Sequence, residues 1–182
     1  MTREELNAKY PWMADTELFQ HDNGGGWVEH PERVEASAFV AGLVTGSARV
    51  GGSARVGDSA IVGGSARVEG SARVEGSAIV EGSAIVGGSA RVGGSAIVGD
   101  SARVGGFARV TTPPWMISLG RHTVVKCDGD VICIGCHVNT LAGWLDKYEA
   151  VGRMEGYTKE EIARYGAALK MIEQLTAVPV AA

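Results

Sequence analysis

A valine recurs at every sixth position through the middle of the chain, without interruption from Val44 to Val110. An alanine usually stands two positions before each valine, and the residue immediately before it is mostly arginine or isoleucine. Because strand side chains alternate between two faces, the alanine and valine point to one side and the variable residue to the other. Glycines after each valine allow tight bends. The repeat therefore predicts a triangular coil of three units per turn, with alanine and valine inside.

The variable residues sort into three columns when the chain is read three units at a time. The sorting requires one shortened step, between Val40 and Val44. The column on predicted face A is apolar and consists of Trp27, Leu43, Ile61, Ile79, Ile97 and Trp115. The columns on faces B and C are mostly arginine, with Arg33, Arg49, Arg67, Ile85 and Arg103 on B, and Phe39, Arg55, Arg73, Arg91 and Arg109 on C. Ile85 is the exception among the central coils.

The pattern V-[GE]-[GD]-S-A-[RI] covers residues 44–110 and extends more loosely over 28–40. It resembles the hexapeptide repeat of left-handed parallel β-helix proteins. The resemblance implies a mainly β fold, a left-handed parallel β-helix of about five to six coils of about 18 residues each. We predict an N-terminal segment over 1–26, the β-helix over 27–118 and a C-terminal appendage over 119–182.

The residues after the repeat predict a small β-hairpin followed by two helices. HTVVKC and DVICIG are rich in β-formers and flank Asp128-Gly129, which is typical of a two-residue hairpin turn. Residues 121–135 are therefore predicted to form the hairpin. A ββαα unit of this size is near the lower limit of independent stability, so we expect it to pack on the end of the coil stack.

The two helices are predicted near residues 141–153 and 159–175. Thr158 and Glu161 have the spacing of a capping box at the start of the second helix. The apolar side of the first helix consists of Trp144, Leu145, Tyr148 and Val151. That of the second consists of Ile162, Tyr165, Leu169, Ile172 and Leu175.

The apolar column on face A predicts an interaction surface, because a contiguous row of outward apolar side chains is uncommon on a monomeric protein. The resemblance to β-helix proteins implies a homotrimer about an axis parallel to the coils, with the face A residues at its interface. The alternative is that the C-terminal helices of the same chain cover this face.

The arginines of the repeat are the candidate ligand-binding residues, namely Arg49, Arg55, Arg67, Arg73, Arg91, Arg103 and Arg109. Guanidinium groups suit phosphate oxygens, which favours a phosphorylated ligand. The alternative is a charged surface that only blunts the sheet edges and keeps the protein in solution.

Charge is unevenly distributed along the chain. The repeat from Val44 to Val110 holds seven arginines and five acidic residues, whereas the remainder holds ten basic and sixteen acidic residues. The overall acidity argues against general nucleic-acid binding. A small anionic, nucleotide-like ligand in a groove between subunits fits the arginine columns better.

Three further stretches support a second resemblance. They are NGGGWV at 23–28, IGCHVNTLAGWLDKY at 134–148 and GYTKEEIARYGAALKMI at 156–172. Together with the repeat they resemble small phage-encoded hexapeptide-repeat proteins, a group without a settled activity. The resemblance suggests a counter-defence factor of the sponge type, which captures a nucleotide messenger without enzymatic turnover. A structural trimer of a virion or adhesin is a further alternative.

The resemblance to the hexapeptide class also suggests an alternative function, acyl transfer. The best-known members of that class use a histidine as general base and an acyl-CoA donor. No histidine occurs between residues 31 and 121, and the repeat lacks a long inserted loop. His30 and His122 remain the candidate catalytic residues for this alternative. A non-enzymatic binding protein is the favoured prediction.

The cysteines offer a possible metal site. Cys127, Cys133, Cys136 and His137 are ligand types suited to zinc. Burial of a small apolar thiol on a strand explains Cys133 equally well. Cys133 to His137 also matches the haem attachment string C-x-x-C-H, which we interpret as chance. We therefore predict no cofactor and no metal.

The N-terminal stretch MTREELNAKYPWM is charged and has no apolar core of a secretory signal. No apolar run is long enough to span a membrane. We therefore predict a cytoplasmic protein, in an infected bacterial host if the phage resemblance holds.

Overall fold

The computed structural model describes residues 2–57 and 59–177, and its middle is a triangular parallel β-helix of about five turns. Each coil strand is two residues long, and successive strands belong to three different sheets. Face A consists of Trp27–Val28, Leu43–Val44, Ile61–Val62, Ile79–Val80 and Ile97–Val98. Face B consists of Arg49–Val50, Arg67–Val68, Ile85–Val86 and Arg103–Val104. Face C consists of Phe39–Val40, Arg55–Val56, Arg73–Val74, Arg91–Val92 and Arg109–Val110.

The parallel strands pair in the register that the repeat predicts. On face A, Leu43 pairs with Trp27 on one side and with Ile61 on the other, which confirms the shortened step before Val44. On face B an isolated bridge between Val34 and Val50 extends the sheet by one further coil.

The core of the coils is a stack of alanine and valine side chains. The repeat valines from Val44 to Val110 and the repeat alanines from Ala48 to Ala108 are almost completely buried. Burial of one valine side chain stabilises the fold by about 1.5–3 kcal/mol. Because the same two side chains fill every unit, the interior is uniform and the outward residue is free to vary.

Glycine occupies nearly all of the described corners where the backbone is left-handed. Gly88 has a φ of +64°, and a Cβ atom there would lie 3.1 Å from the backbone nitrogen and oxygen of Gly106 in the next coil. Its neighbour Gly87 has no such restriction, because nothing lies within 4 Å of its ideal Cβ position. Asp100 occupies a left-handed corner with a φ of 51°, which aspartate tolerates better than most residues. Asp58, a second corner residue of the repeat, lies outside the described residues.

The N-terminal segment contains two short helical elements and one strand. Helix α1 (Arg3–Lys9) begins with a capping box formed by Thr2 and Glu5. A 3₁₀ turn follows at Pro11–Met13, and the strand Phe19–Gln20 pairs antiparallel with the first strand of face A.

This N-terminal segment covers the lower part of face A, which consists of the strands that come first in the chain. The side chains of Leu6 and Met13 are buried against Leu43, and Trp27 and Ile61 pack around them. The alternative expectation that the C-terminal helices cover this face is therefore wrong for its lower coils. The cover comes from the other end of the chain.

A four-stranded antiparallel meander follows the last coil, formed by Trp115–Ser118, Thr123–Lys126, Val131–Ile134 and His137–Thr140. The predicted hairpin is confirmed as its two central strands, whereas the two outer strands were not expected. Trp115 pairs antiparallel with Lys126, so it does not continue the parallel column of face A. The physical reason lies in the segment before it, where Pro113 and Pro114 replace the usual serine and alanine and cannot donate to a ladder.

The meander closes the C-terminal end of the coil stack, as predicted. The backbone amide of Asp128 donates to the carbonyl oxygen of Arg109 at 2.8 Å. The Asp128 carboxylate accepts hydrogen bonds from the amide and the hydroxyl of Thr111. The meander side chains that extend the coil core are Val125, Cys127 and Cys133.

Helices α2 (Leu141–Met154) and α3 (Lys159–Ala177) pack on the outer side of the meander and confirm both predicted helices. The capping box is also confirmed, since the Glu161 amide donates to Thr158 Oγ1 and the Thr158 amide donates to Glu161 Oε2. Leu175 was expected on the buried side but is exposed, because it lies beyond the core cluster shared with the meander. No helix in the described part of the chain combines the length and the apolar character that a membrane span requires.

The two adjacent glycines provide a matched test of the corner geometry. We expect Gly88→Ala to lower the free energy of unfolding by about 1–3 kcal/mol, because alanine must adopt the left-handed backbone against the next coil. Gly87→Ala should change it by less than about 1 kcal/mol or stabilise slightly. Urea unfolding followed by circular dichroism measures both. Equal destabilisation by the two variants would contradict the assignment of the strained corner.

Candidate functional site

A groove on face B is lined by three arginine side chains together with acidic residues. Its volume is about 680 Å³, within the range of roughly 300–1,000 Å³ that small-molecule sites occupy. Three basic and three acidic side chains line it, namely Arg33, Arg49, Arg67, Glu32, Glu35 and Glu69. Three of the predicted face B arginines therefore share one groove.

The coil register brings these arginines together. Arg49 pairs directly with Arg67 in the parallel sheet, and the Val34–Val50 bridge places Arg33 one coil below Arg49. Adjacent strands lie about 4.8 Å apart, so Arg49 and Arg67 are close neighbours along the coil axis. Arg33 ends the 3₁₀ turn Pro31–Arg33 and lines the same groove. The glycines at 51, 52 and 70 leave the adjacent surface without side chains, which opens the groove.

Acidic side chains hold two of the three groove arginines. Arg67 Nε lies 3.0 Å from Oε1 of Glu69, which stands two residues later on the same outward surface. Arg33 Nε lies 3.6 Å from Glu32 Oε1, and this buried nitrogen has no hydrogen-bond acceptor among the described residues. Arg49 is therefore the groove arginine without an ion pair to any described residue.

The Glu35 carboxylate is fixed in the groove by the backbone of the next coil. Its Oε2 accepts a hydrogen bond from the Gly52 amide at 2.8 Å, and Ser37 Oγ lies 3.5 Å from the same oxygen. The Ser37 hydroxyl donates its proton to the Gly52 carbonyl oxygen at 2.7 Å. A carboxylate held in this way is a preorganised hydrogen-bond acceptor.

The arginines of face C have a different environment. Arg55 lies over the ring of Phe39, with 4.1 Å from its guanidinium carbon to the ring centroid. Arg73, Arg91 and Arg109 are exposed and stacked in register, and the ion pairs of the described arginines involve other residues. Face C therefore presents a column of guanidinium groups without neighbouring carboxylate partners in the described chain.

Ile85 interrupts the arginine column of face B. It pairs with Arg67 below and with Arg103 above, and its side chain is half-buried. The three groove arginines are thus separated from Arg103, which belongs to the end of the stack next to the meander.

The interface residues predicted on face A do not share one environment. Leu43 is buried and Trp27 and Ile61 pack under the N-terminal segment, whereas Ile97 is 41% exposed and Trp115 is 45% exposed. A second groove of about 570 Å³ lies where this segment meets Ile61 and Ile79. Only the upper part of face A is therefore open to a partner chain.

The two candidate catalytic histidines lie at opposite ends of the coil stack. His30 follows the first strand of face A, and its Nδ1 lies 3.2 Å from Glu32 Oε1. His122 precedes the second meander strand, where its backbone amide and carbonyl both hydrogen-bond to Tyr165 Oη. Within one protomer the structure does not bring the two imidazoles together.

The structure does not gather the candidate zinc ligands. Cys127 and Cys133 are buried with their Sγ atoms 3.5 Å apart, while Cys136 is exposed. His137 Nε2 instead pairs with Glu155 Oε1 at 3.0 Å. The described part of the chain contains no cluster of three or more potential metal ligands. The hydrogen bond with Cys133 and burial raise the pKa of the Cys127 thiol, which disfavours its metal-binding thiolate form.

Two surface features were not predicted from the sequence. Phe107 is 89% exposed at the corner between faces B and C. The signal was present, because phenylalanine replaces the serine of the repeat in this one unit. The acidic wall formed by Glu32 and Glu35 was also missed, since both residues lie in an irregular coil below the regular repeat.

Comparison with protein-family models, curated proteins and solved structures finds no match to this chain. The function is therefore inferred from the geometry of the described residues.

The lowered pKa of His122 predicts that the stability of the protein depends on pH. Burial is the largest cause of its lowered pKa, and the positive charges of Arg103 and Arg121 lower the pKa further, with Glu155 opposing and His137 adding to the effect. The unfolded chain therefore binds this proton at a higher pH, so stability should fall as pH decreases through about 6.5. Melting temperatures between about pH 7.5 and about 5.5 measure the slope.

Two variants separate the contribution of His122 to the pH dependence from that of the other histidines. His122→Gln should flatten the slope, because the backbone contacts to Tyr165 remain while the titrating group is lost. His30→Gln is the matched control and should retain the slope of the wild type. An unchanged slope in His122→Gln would show that another group causes the pH dependence.

Proposed function

We propose that this chain is a non-enzymatic, homotrimeric binding protein that captures a small anionic, nucleotide-like ligand. The observation that supports this function is the groove on face B, where Arg33, Arg49 and Arg67 line one concavity of suitable volume. Aligned guanidinium groups suit phosphate oxygens, and arginine forms such contacts in pairs of hydrogen bonds. Nearby carboxylates add acceptors for the N–H groups of a base.

The proposed setting follows from the sequence resemblances. A hexapeptide-repeat β-helix of a small phage-encoded type would act as a sponge that sequesters a nucleotide messenger of bacterial defence. Binding without turnover suffices for that role. No observation favours the acyltransferase alternative, because His30 and His122 lie at opposite ends of the stack, and none favours a virion or adhesin role.

The proposed trimer is supported by the open part of face A. Ile79 and Ile97 continue the apolar surface of face A above the N-terminal segment, and Trp12 is 68% exposed beside it. Exposed apolar side chains that lie close together mark association surfaces. A second and a third copy of the chain would cover them.

The ligand proposal is tested by calorimetric titration of the full chain with a panel of linear and cyclic nucleotides. We expect at least one nucleotide to bind, and Arg49→Glu to weaken that binding by at least about tenfold, equivalent to about 1.4 kcal/mol. The reason is that the variant places a negative charge in the centre of the groove.

Arg91→Glu on face C is the matched control, because it makes the same change at an exposed arginine outside the groove. It should leave the affinity within about threefold of the wild type. Loss of binding in Arg91→Glu but not in Arg49→Glu would move the site to face C. The absence of binding for every nucleotide in the panel would contradict the proposed function.

The trimer proposal is tested by Ile79→Glu combined with Ile97→Glu. We expect this variant to give monomers or insoluble protein, because two buried carboxylates would face the partner chain. Native mass spectrometry gives the subunit count and any co-purifying ligand together. Ile85→Glu on face B is the control and should leave the subunit count unchanged. A trimer that survives the double substitution would refute the interface on face A.

A further inference from the structure

The balance of charge in the groove limits the ligand that it accepts. Three guanidinium groups and three carboxylates line the same groove, so its formal net charge is zero. Arg67 already pairs with Glu69, and Arg33 lies beside Glu32. Each carboxylate would repel a further negative charge in a partly enclosed space, where such repulsion is stronger than in open water. The groove therefore suits a ligand of low charge.

Two groove groups remain available to a phosphate. Arg49 forms no ion pair with a described residue. The Arg33 side chain is partly exposed, and its guanidinium group makes no hydrogen bond to a described residue although its Nε lies beside Glu32. One phosphate group can contact both arginines, because they lie on adjacent coils.

The Glu35 carboxylate requires a hydrogen-bond donor in the other part of the ligand. Glu35 Oε2 is used by the Gly52 amide, which fixes the side chain and leaves Oε1 without a hydrogen bond to a described residue. An ionised carboxylate only accepts hydrogen bonds, so the group that it contacts must be a donor. The amino and ring N–H groups of a nucleobase are donors of this kind.

We infer that the groove takes a nucleotide with a single phosphate group, which contacts Arg33 and Arg49 while the base donates to Glu35. This inference rests on the proposed function and names its ligand class. Nucleoside diphosphates and triphosphates are disfavoured because their additional charges meet the acidic wall. A phosphate compound without a base lacks the contact to the carboxylate.

The test is a calorimetric titration of the full-length protein with AMP, ADP and ATP, which differ only in the number of phosphate groups. GMP tests a second base, and ribose 5-phosphate and inorganic phosphate lack a base. We expect AMP or GMP to bind at least about tenfold more tightly than ATP and than ribose 5-phosphate. Tighter binding of ATP, or equal binding of ribose 5-phosphate, would overturn the inference and leave the proposed function intact.

Two substitutions examine the acidic wall directly. Glu35→Gln should weaken AMP or GMP binding by about fivefold or more and reduce the discrimination against ATP, because a charge and an acceptor are lost together. Glu32→Gln should reduce the discrimination against ATP alone, and its exposed position makes misfolding of this variant a minor concern. Glu75→Gln, outside the groove, should change neither quantity. If none of these compounds binds to the wild-type protein, the inference fails, whereas the proposed function fails only if the cyclic nucleotides of the wider panel do not bind either.

Discussion

The fit of each coil on the next is the constraint from which the rest of this structure follows. Hydrogen bonds join equivalent positions of successive turns, such as the Arg67 amide to the Ala84 carbonyl and the Glu69 amide to the Val86 carbonyl, both at 2.9 Å. These bonds require turns of equal length, and a slip of one residue would place the outward side chains in the core. The inward and corner positions are therefore nearly invariant along the repeat, and chemical variation is confined to the outward position.

Confining the variation to one position has an electrostatic consequence. Arginines that share a column lie about 4.8 Å apart and repel one another, by about 1 kcal/mol or less per pair in water. Face B relieves this repulsion with carboxylates from a corner, Glu69, and from the irregular first coil, Glu32 and Glu35. Those same carboxylates form the walls of the groove. On face C the described arginines lack such partners, so an arginine column by itself does not make a site.

The fold was predictable from the sequence because its period is explicit. The three columns follow from counting, and the helices around Trp144 and Leu169 follow from helical spacing. The N-terminal cover was not predictable, because Leu6 and Met13 lie in a segment without a repeat and meet Leu43 only through the tertiary fold. Trp115 was misplaced because counting continued past Pro113, where the backbone leaves the coil. Arg49 and Arg67 were among the candidate ligand-binding residues, whereas Arg33 was placed only in the face B column, and the acidic wall depends on an irregular coil that no period describes.

Ile85 marks the division of face B into two parts with different roles. Below it, Arg33, Arg49 and Arg67 share the groove with the three carboxylates. Above it, Arg103 lies close enough to His122 at the meander to contribute to the lowered pKa of that histidine. An arginine at this position would join the two parts into one uninterrupted cationic column and add an unpaired charge directly above Arg67. An isoleucine keeps the groove short, and a short groove fits a ligand of one phosphate group better than an extended polyanion.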